Sequence, residues 1–368
     1  MRSVFHRPRG FSLIELMIGM VIAMMGLAAV SSMMVTFSKK RNSITQTMGA
    51  QDNGVMALYR LEKDLAQAGY GMMPLQACTR IVDPLITNPA ITNFFVPSPV
   101  LITDDGSGGA DSLQISYITS DSGLFGSERV DAGGFLLSVD TAVTDPAVPA
   151  TTVTTIPVRS TLGFTASVTT GNRLVLAPTD SQAPLVCVLT RLIGLNTVST
   201  GVAGASSGYV GNLGSFASNL YAISGTSLTL AEFGATANNL VDDIIFLKAQ
   251  YGVSASAAST TVAAWQSATP ADMQTVVAIR VGVVARSALR ESEAIDAPTT
   301  LSVLPAIGGV STVTAPASGQ CATDGLTFEV KCTVPDTGYR YRAYSTMIPL
   351  RNVMWTRCPV ARPDCSPW

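Results

Sequence analysis

Residues 16–38 run for 23 positions without a charged side chain and are strongly apolar throughout. As a helix rising about 1.5 Å per residue it is long enough to cross the ~30 Å hydrocarbon core of a bilayer. Arg2, Arg7 and Arg9 lie before it and Lys39, Lys40 and Arg41 close it, so the balance of basic residues does not orient it. One membrane span is therefore expected, at 11–38. A cleavable signal peptide would explain the basic head and offers Ala29-Val30-Ser31 as a cut site, but the apolar run continues past that point. A plain anchor has no use for Glu15, the one charge at the head of the run.

A carboxylate at the edge of hydrocarbon costs several kcal/mol unless it is neutralised or paired, which makes Glu15 a functional candidate. Its surroundings, Arg9-Gly10-Phe11-Ser12-Leu13-Ile14-Glu15-Leu16, resemble the type IV prepilin signature: a short basic leader, a glycine, an aromatic residue, and glutamate at the fifth position of an apolar helix. The resemblance implies that a prepilin peptidase cuts between Gly10 and Phe11 and methylates the new amino terminus at Phe11. Leader 1–10 is then lost while the helix stays. Glu15 is expected to meet the freed amine of Phe11, its own or that of a neighbouring subunit, during assembly.

Beyond the span, residues 42–69 contain no proline and continue the helical spacing to about Ala68. At about 100° per residue, Ile44, Met48, Val55, Leu58, Tyr59 and Leu65 share a sector of roughly 120°, with Arg60, Lys63, Asp64 and Gln67 outside it. Residues 39–70 read as an amphipathic half-helix whose stripe is expected to pack on the chain's own globular part. Gly69-Tyr70-Gly71 and Pro74 end it.

Residues 71–368 read as a β-rich head. Candidate strands fall at 113–118, 152–158, 173–177, 185–190, 244–251, 275–284 and 339–348, short and β-branched between Gly, Ser, Asn, Asp and Pro clusters. Small polar stretches at 196–240, 254–270 and 297–320 read as extended loops or insertions. The fold class is α+β: a long N-terminal helix, half span and half amphipathic, packed on that head. Charged residues make up only 13% of the chain, against about 25% in ordinary globular proteins. Setting aside Glu15 and the six basic residues around the span leaves 17 basic against 24 acidic, a head of about −7. That suits solubility and contact with a basic partner, while the whole chain's net charge of −2 argues against broad nucleic-acid binding.

Later segments resemble a narrower family, the PilW minor pilins. The stretch from Asp243 to Val253, that from Val276 to Ser287, and Tyr344-Ser345-Thr346-Met347-Ile348-Pro349-Leu350-Arg351-Asn352 are similar to that family's strands and its C-terminal ending. The resemblance implies a minor pilin of the bacterial inner membrane with a periplasmic head. Such a subunit primes pilus assembly with other minor pilins and the major pilin, and sits near the tip with a PilY-type adhesin. A J-type minor pseudopilin of type II secretion and a membrane-anchored adhesin or hydrolase outside any filament stand as alternatives.

Export makes Cys78, Cys187, Cys321, Cys332, Cys358 and Cys365 disulfide candidates. Local spacing suggests Cys321–Cys332 and Cys358–Cys365, leaving Cys78 with Cys187. No C-x-x-C pair exists and the leader holds the single histidine, His6, so neither metal nor cofactor is expected. Gly204-Ala205-Ser206-Ser207-Gly208 matches a nucleophile elbow on paper, but the mature chain lacks a histidine base, and no catalytic residue is assigned. The turn from Thr103 to Asp111 fails the calcium-loop pattern and reads as a polar turn. Tyr339-Arg340-Tyr341-Arg342-Ala343-Tyr344 interleaves cations and aromatics as single-strand nucleic-acid surfaces do. An ordinary strand with Tyr339 and Tyr341 on one face is the preferred reading.

Overall fold

The structure, a computed structural model, describes residues 12–70, 78–82, 94–95, 98–119, 136–138, 156–157, 173–178, 185–194, 197–199, 208–212, 215–256, 259–291 and 298–355. A single helix, Leu13–Gln67, precedes a head built of strands, so the architecture is α+β. The described part of the helix up to Lys40 is exposed throughout, and the head packs only on its second half.

The strand Val276–Arg286 is the centre of the head. It pairs antiparallel with Ile244–Val253 on one side and Tyr341–Pro349 on the other, and Ala264–Gln266 extends the sheet beyond Ile244–Val253. Its residues are buried up to its last position because both faces are covered. By the twofold alternation of a strand, Ile279, Val281, Val283 and Ala285 join the core formed with Ala57, Leu61 and Leu65 of the helix. Val284, on the other face, packs with Val303, Leu304, Val330 and Cys332 of a three-stranded sheet. Gly282 permits that second contact: a Cβ there would stand 2.5 Å from the Val303 carbonyl oxygen. Arg280 crosses the same gap. Its guanidinium donates to Gln250 Oε1, to the Pro305 carbonyl at 3.0 Å and to the Phe328 carbonyl, and lies 5.1 Å from the Trp265 ring centre. Burial pulls its pKa down to about 10.

A five-stranded antiparallel sheet runs in the order Asn238–Asp242, Ser227–Glu232, Ser215–Ser224, Ser112–Thr119, Val100–Thr103. This corrects the expectation of loops across 196–240. The hairpin between the second and third strands closes through Ser224 opposite Ser227, with Gly225 at φ 61°. A two-residue turn of this kind matches the twist of its strands, and its glycine was the available signal. Likewise Ala264–Gln266 and Thr300–Leu304 are strands inside the stretches 254–270 and 297–320. Lys248 ties the two sheets together, its ammonium 2.5 Å from Asp111, which also accepts the Ala249 amide. Burial pushes the Asp111 carboxyl up to about 6, against the pull of Lys248. An eight-stranded sheet contains the one parallel pair among the described strands, Cys78–Val82 with Leu185–Gly194.

The helix faces the head differently from its apolar pattern. The buried positions are Ala50, Gly54, Ala57, Leu61, Asp64 and Leu65. Of the expected stripe only Leu65 is buried and Leu58 half-buried, while Ile44, Met48, Val55 and Tyr59 are 60%, 60%, 52% and 61% exposed. The two faces lie about 140° apart at ~100° per residue. Close approach is the reason: the Tyr344 ring sits against Gly54 where any Cβ would collide with it, and small residues at 50, 54 and 57 let the backbone come near the sheet. Leu61→Ala is therefore expected to lower stability by about 2–5 kcal/mol, whereas Ile44→Ala changes it by less than about 0.5 kcal/mol. Urea unfolding of the full chain in detergent measures both.

Candidate functional site

The candidate site is the helix itself, whose first half is exposed and whose second half is joined to the head. Ser12 stands at its N-cap position without a side-chain capping bond, and the Glu15 and Leu16 amides donate to its carbonyl at 3.0 and 3.1 Å. Glu15 thus lies in the first turn, where unpaired amides and the helix dipole favour an anion. Its neighbours Leu13, Ile14 and Leu16 are 78%, 66% and 54% exposed. Among the described residues Glu15 forms no ion pair, and its side chain is exposed. Gly10 and Phe11 lie outside the described residues.

Apolar side chains stay exposed along the helix from Leu13 to Tyr59, first all round its apolar half and then on the stripe Ile44, Met48, Val55 and Tyr59. Large exposed apolar surfaces of this kind mark interaction sites.

The far end of the helix is anchored by a buried carboxylate. Asp64 Oδ2 accepts from Asn219 Nδ2 at 2.6 Å and from the Tyr221 hydroxyl at 2.7 Å, and Oδ1 accepts from the Tyr117 hydroxyl at 3.3 Å. The donors come from two adjacent strands, Ser112–Thr119 and Ser215–Ser224, in which Tyr117 stands opposite Ala217 and Asn219 opposite Ile115. The helix then stops at Gly69, whose φ of 76° suits glycine and whose amide donates to the Ser116 carbonyl at 2.9 Å. Asn352, in the short helix Arg351–Trp355, donates through Nδ2 to the Ala66 and Ala68 carbonyls at 3.3 Å each. Those are carbonyls that a helix end leaves without intrahelical partners. The Arg351-Asn352 ending thus has a physical task, and Asp64, read from the sequence as a residue off the packing face, is the anchor.

Cys321 and Cys332 stand opposite each other on adjacent antiparallel strands and form a disulfide. The Cys321 amide also donates to the Gly108 carbonyl at 2.6 Å, fastening the turn before Ser112–Thr119 to this hairpin. In that turn Asp104 accepts the Gly106 amide and Asp105 accepts the Gly109 amide and the Ser107 hydroxyl. These bonds from Ser107 and Gly109 hold the Asp105 carboxyl below its usual range, as expected of a polar turn that uses its own acids. Cys78 and Cys187 occupy neighbouring strands, Cys78 opposite Leu185 and Cys187 opposite Ile81. Cys358 and Cys365 lie outside the described residues, as do 204–207 of the serine motif. Arg340 pairs with Glu291, Tyr341 is buried, and Tyr339 lies 6.4 Å from Tyr341 between ring centres, so the two tyrosines share a face.

Burial first and the Asp64 carboxylate second push the Tyr117 hydroxyl up to about 12 and raise Tyr221 further. Raised tyrosine pKa values give stability that is complete below pH ~10, the unfolded value, because there both states keep the proton. Above it the unfolded chain releases protons that the folded one holds, so stability falls as pH rises from about 10 through 12. Melting temperatures between pH 8 and 12 should show this loss, and Tyr221→Phe should reduce it. Asp64→Ala is expected to cost about 2–4 kcal/mol at neutral pH by the same measurement.

Residues 209–352 match the family model of the Type IV Pilus-assembly protein W, and residues 5–31 match that of the prokaryotic N-terminal methylation motif. A type IV-like pilin of Thermus thermophilus, TTHA1219, aligns in structure over 82% of this chain and 97% of its own, with 11% identity and a TM-score of 0.34, a likeness too loose to carry an argument. No curated protein matches the chain. The W match begins within the strand Gly208–Asn212 and ends on Asn352, the residue that closes the helix, so it takes in the central strands and most of the helix anchor. The methylation motif thus leads into the apolar helix, and residues 209–352, a domain matching the PilW family, form most of the surface that holds it.

Proposed function

We propose that this protein is a minor pilin that helps prime pilus assembly and stays at or near the tip, with a structural and not a catalytic task. The observation that carries the reading is the division of the helix: one face is fixed to the head through Asp64 and Gly54, while the apolar stripe opposite continues the exposed surface of the span. A subunit that worked alone would have no reason to leave that stripe in water. Packed beside the helices of other minor pilins and the major pilin, the stripe is buried between copies. The head then projects for contact with a PilY-type adhesin.

In this reading prepilin peptidase cuts between Gly10 and Phe11 at the inner membrane, and the head lies in the periplasm. The freed Phe11 amine is a cation at the same depth as Glu15, and a neighbour's amine can meet that carboxylate as subunits stack. Charge pairing then sets the register of helices that apolar packing alone would leave free to slide. Cys78–Cys187 and Cys358–Cys365 are the disulfides that complete the head.

Intact-mass measurement of the membrane-extracted protein should give a chain lacking residues 1–10 and carrying one added methyl group. Glu15→Ala should be cut normally yet be lost from sheared filaments. An uncut chain, or normal incorporation without Glu15, would overturn the proposal.

A further inference from the structure

The three-stranded sheet sends out two connections at one end, 305–320 and 324–329, because Leu304 and Thr323 both stand opposite Val330. Arg280 fixes the height of that end. It bonds the carbonyls of Pro305 and Phe328, and in the central sheet it stands opposite Met347, near the end of the strand Tyr341–Pro349. That strand leads into Asn352, which bonds the helix at Ala66 and Ala68. The two connections therefore lie level with the last turns of the helix, far from its apolar first half. They lie on the face of Val276–Arg286 that the helix does not cover, since the three-stranded sheet packs with Val284 and the helix with Val281 and Val283.

Four apolar side chains are exposed there: Val310 at 92%, Leu326 at 81%, Met347 at 61% and Ile307 at 43%. Backbone bonds bring them together. The Ile307 amide donates to the Thr327 carbonyl and the Thr312 amide to Asp324 Oδ2, each at 2.9 Å, which lays 307–312 against the turn that carries Leu326. Residues 297–323 contain no charged side chain, and Asp324 is buried with its oxygens taken by the Leu326 and Thr312 amides and the Thr327 hydroxyl. The turn also holds an unusual backbone shape. Phe328 stands at φ 56°, which bulky residues rarely adopt. Its amide donates to the Asp324 carbonyl at 2.9 Å, and Arg280 grips its own carbonyl. A strained residue fixed from both sides keeps Leu326 presented in one way.

We infer that this pre-shaped knob inserts into an uncharged apolar socket of a different protein, seated on the side of the head away from the helix. The area decides against a second copy. Four aliphatic side chains offer at most roughly 500 Å² of apolar surface, short of the ~800 Å² that each partner of a stable complex buries. Two copies joined knob to knob would therefore not hold. Charge decides against lipid: residues 297–328 contain no cation, and apolar segments that settle on membranes carry basic residues beside them. In a socket, a small rigid apolar group acts as the central anchor of a wider contact, because little conformational freedom is lost when it binds. The knob and the helix lie on opposite sides, so the inference does not rest on assembly through the helix, and failure of the Glu15 experiment leaves it standing.

The test places a diazirine-bearing leucine analogue at position 326 of the full chain in the cells that make it, with the same probe at the exposed Ala237 as control. Irradiation should join position 326, and not 237, to one other protein, and mass spectrometry of the joined peptides should map to an apolar stretch without charge. Adding Val310→Asp should lower the yield from position 326 about tenfold, and Val310→Leu should keep it. Val310 is exposed, so Val310→Asp should melt like the wild-type chain. If it does not, Val310→Ser decides: a reduced yield supports the socket, and a full yield overturns it. Products formed only with a second copy or with lipid, a charged partner peptide, equal yield at 237, no product, or a yield untouched by Val310→Asp would each overturn the inference.

Discussion

The fold turns on one carboxylate. Asp64 is 8% exposed, and a carboxyl group so far from water is tolerable only when its oxygens are occupied. Three donors occupy them, and because these sit at fixed heights on two paired strands, they dictate both the rotation and the axial position of the helix on the head. A purely apolar contact would allow the helix to slide or roll by a residue. A set of directional hydrogen bonds to a buried carboxyl group does not.

Setting the rotation has consequences on both sides of the helix. Inward, the positions that meet the sheet are Ala50, Gly54 and Ala57, so the backbone approaches closely and Tyr344 fills the space that a side chain at 54 would take. Outward, the larger apolar residues Ile44, Met48, Val55 and Tyr59 are left in solvent. In an isolated globular protein such a stripe is a liability, and it acquires a purpose when neighbouring helices cover it. The exposed stripe and the buried small-residue face are two results of a single choice of rotation.

The head supports this join from behind. Val276–Arg286 is apolar on both faces because the helix lies on one and the three-stranded sheet, closed by Cys321–Cys332, on the other. Its interruptions have local causes. Gly282 makes room for the Val303 carbonyl, and Arg280 supplies hydrogen bonds to the carbonyls of Pro305 and Phe328. The cross-links Lys248–Asp111 and Cys321–Gly108 hold the second sheet to the same body, so Tyr117, Asn219 and Tyr221 present their donors from a stiff surface.

Much of this was legible in the sequence where the signal is one-dimensional. The long apolar helix to Gln67, the methylation motif at its head, and the strands around 113, 185, 244, 276 and 341 follow from run length, motif spacing and β-branched content, which depend on neighbours in the chain. So did Cys321–Cys332, whose short separation matches a hairpin. The meander of 215–242 was hidden because its serines, threonines and asparagines resemble a loop until a partner strand supplies the apolar face they line. The packing face of the helix was hidden for a deeper reason. Periodicity locates the largest apolar residues, but close packing against this sheet selected the smallest ones, and the aspartate that holds them has its donors 53 to 157 residues away. What the sequence by itself determined is which segments form and which of them is long and apolar enough to cross a bilayer. Only the tertiary structure decided which side of the helix belongs to the head and which is left exposed, because that choice depends on donors brought together by distant strands.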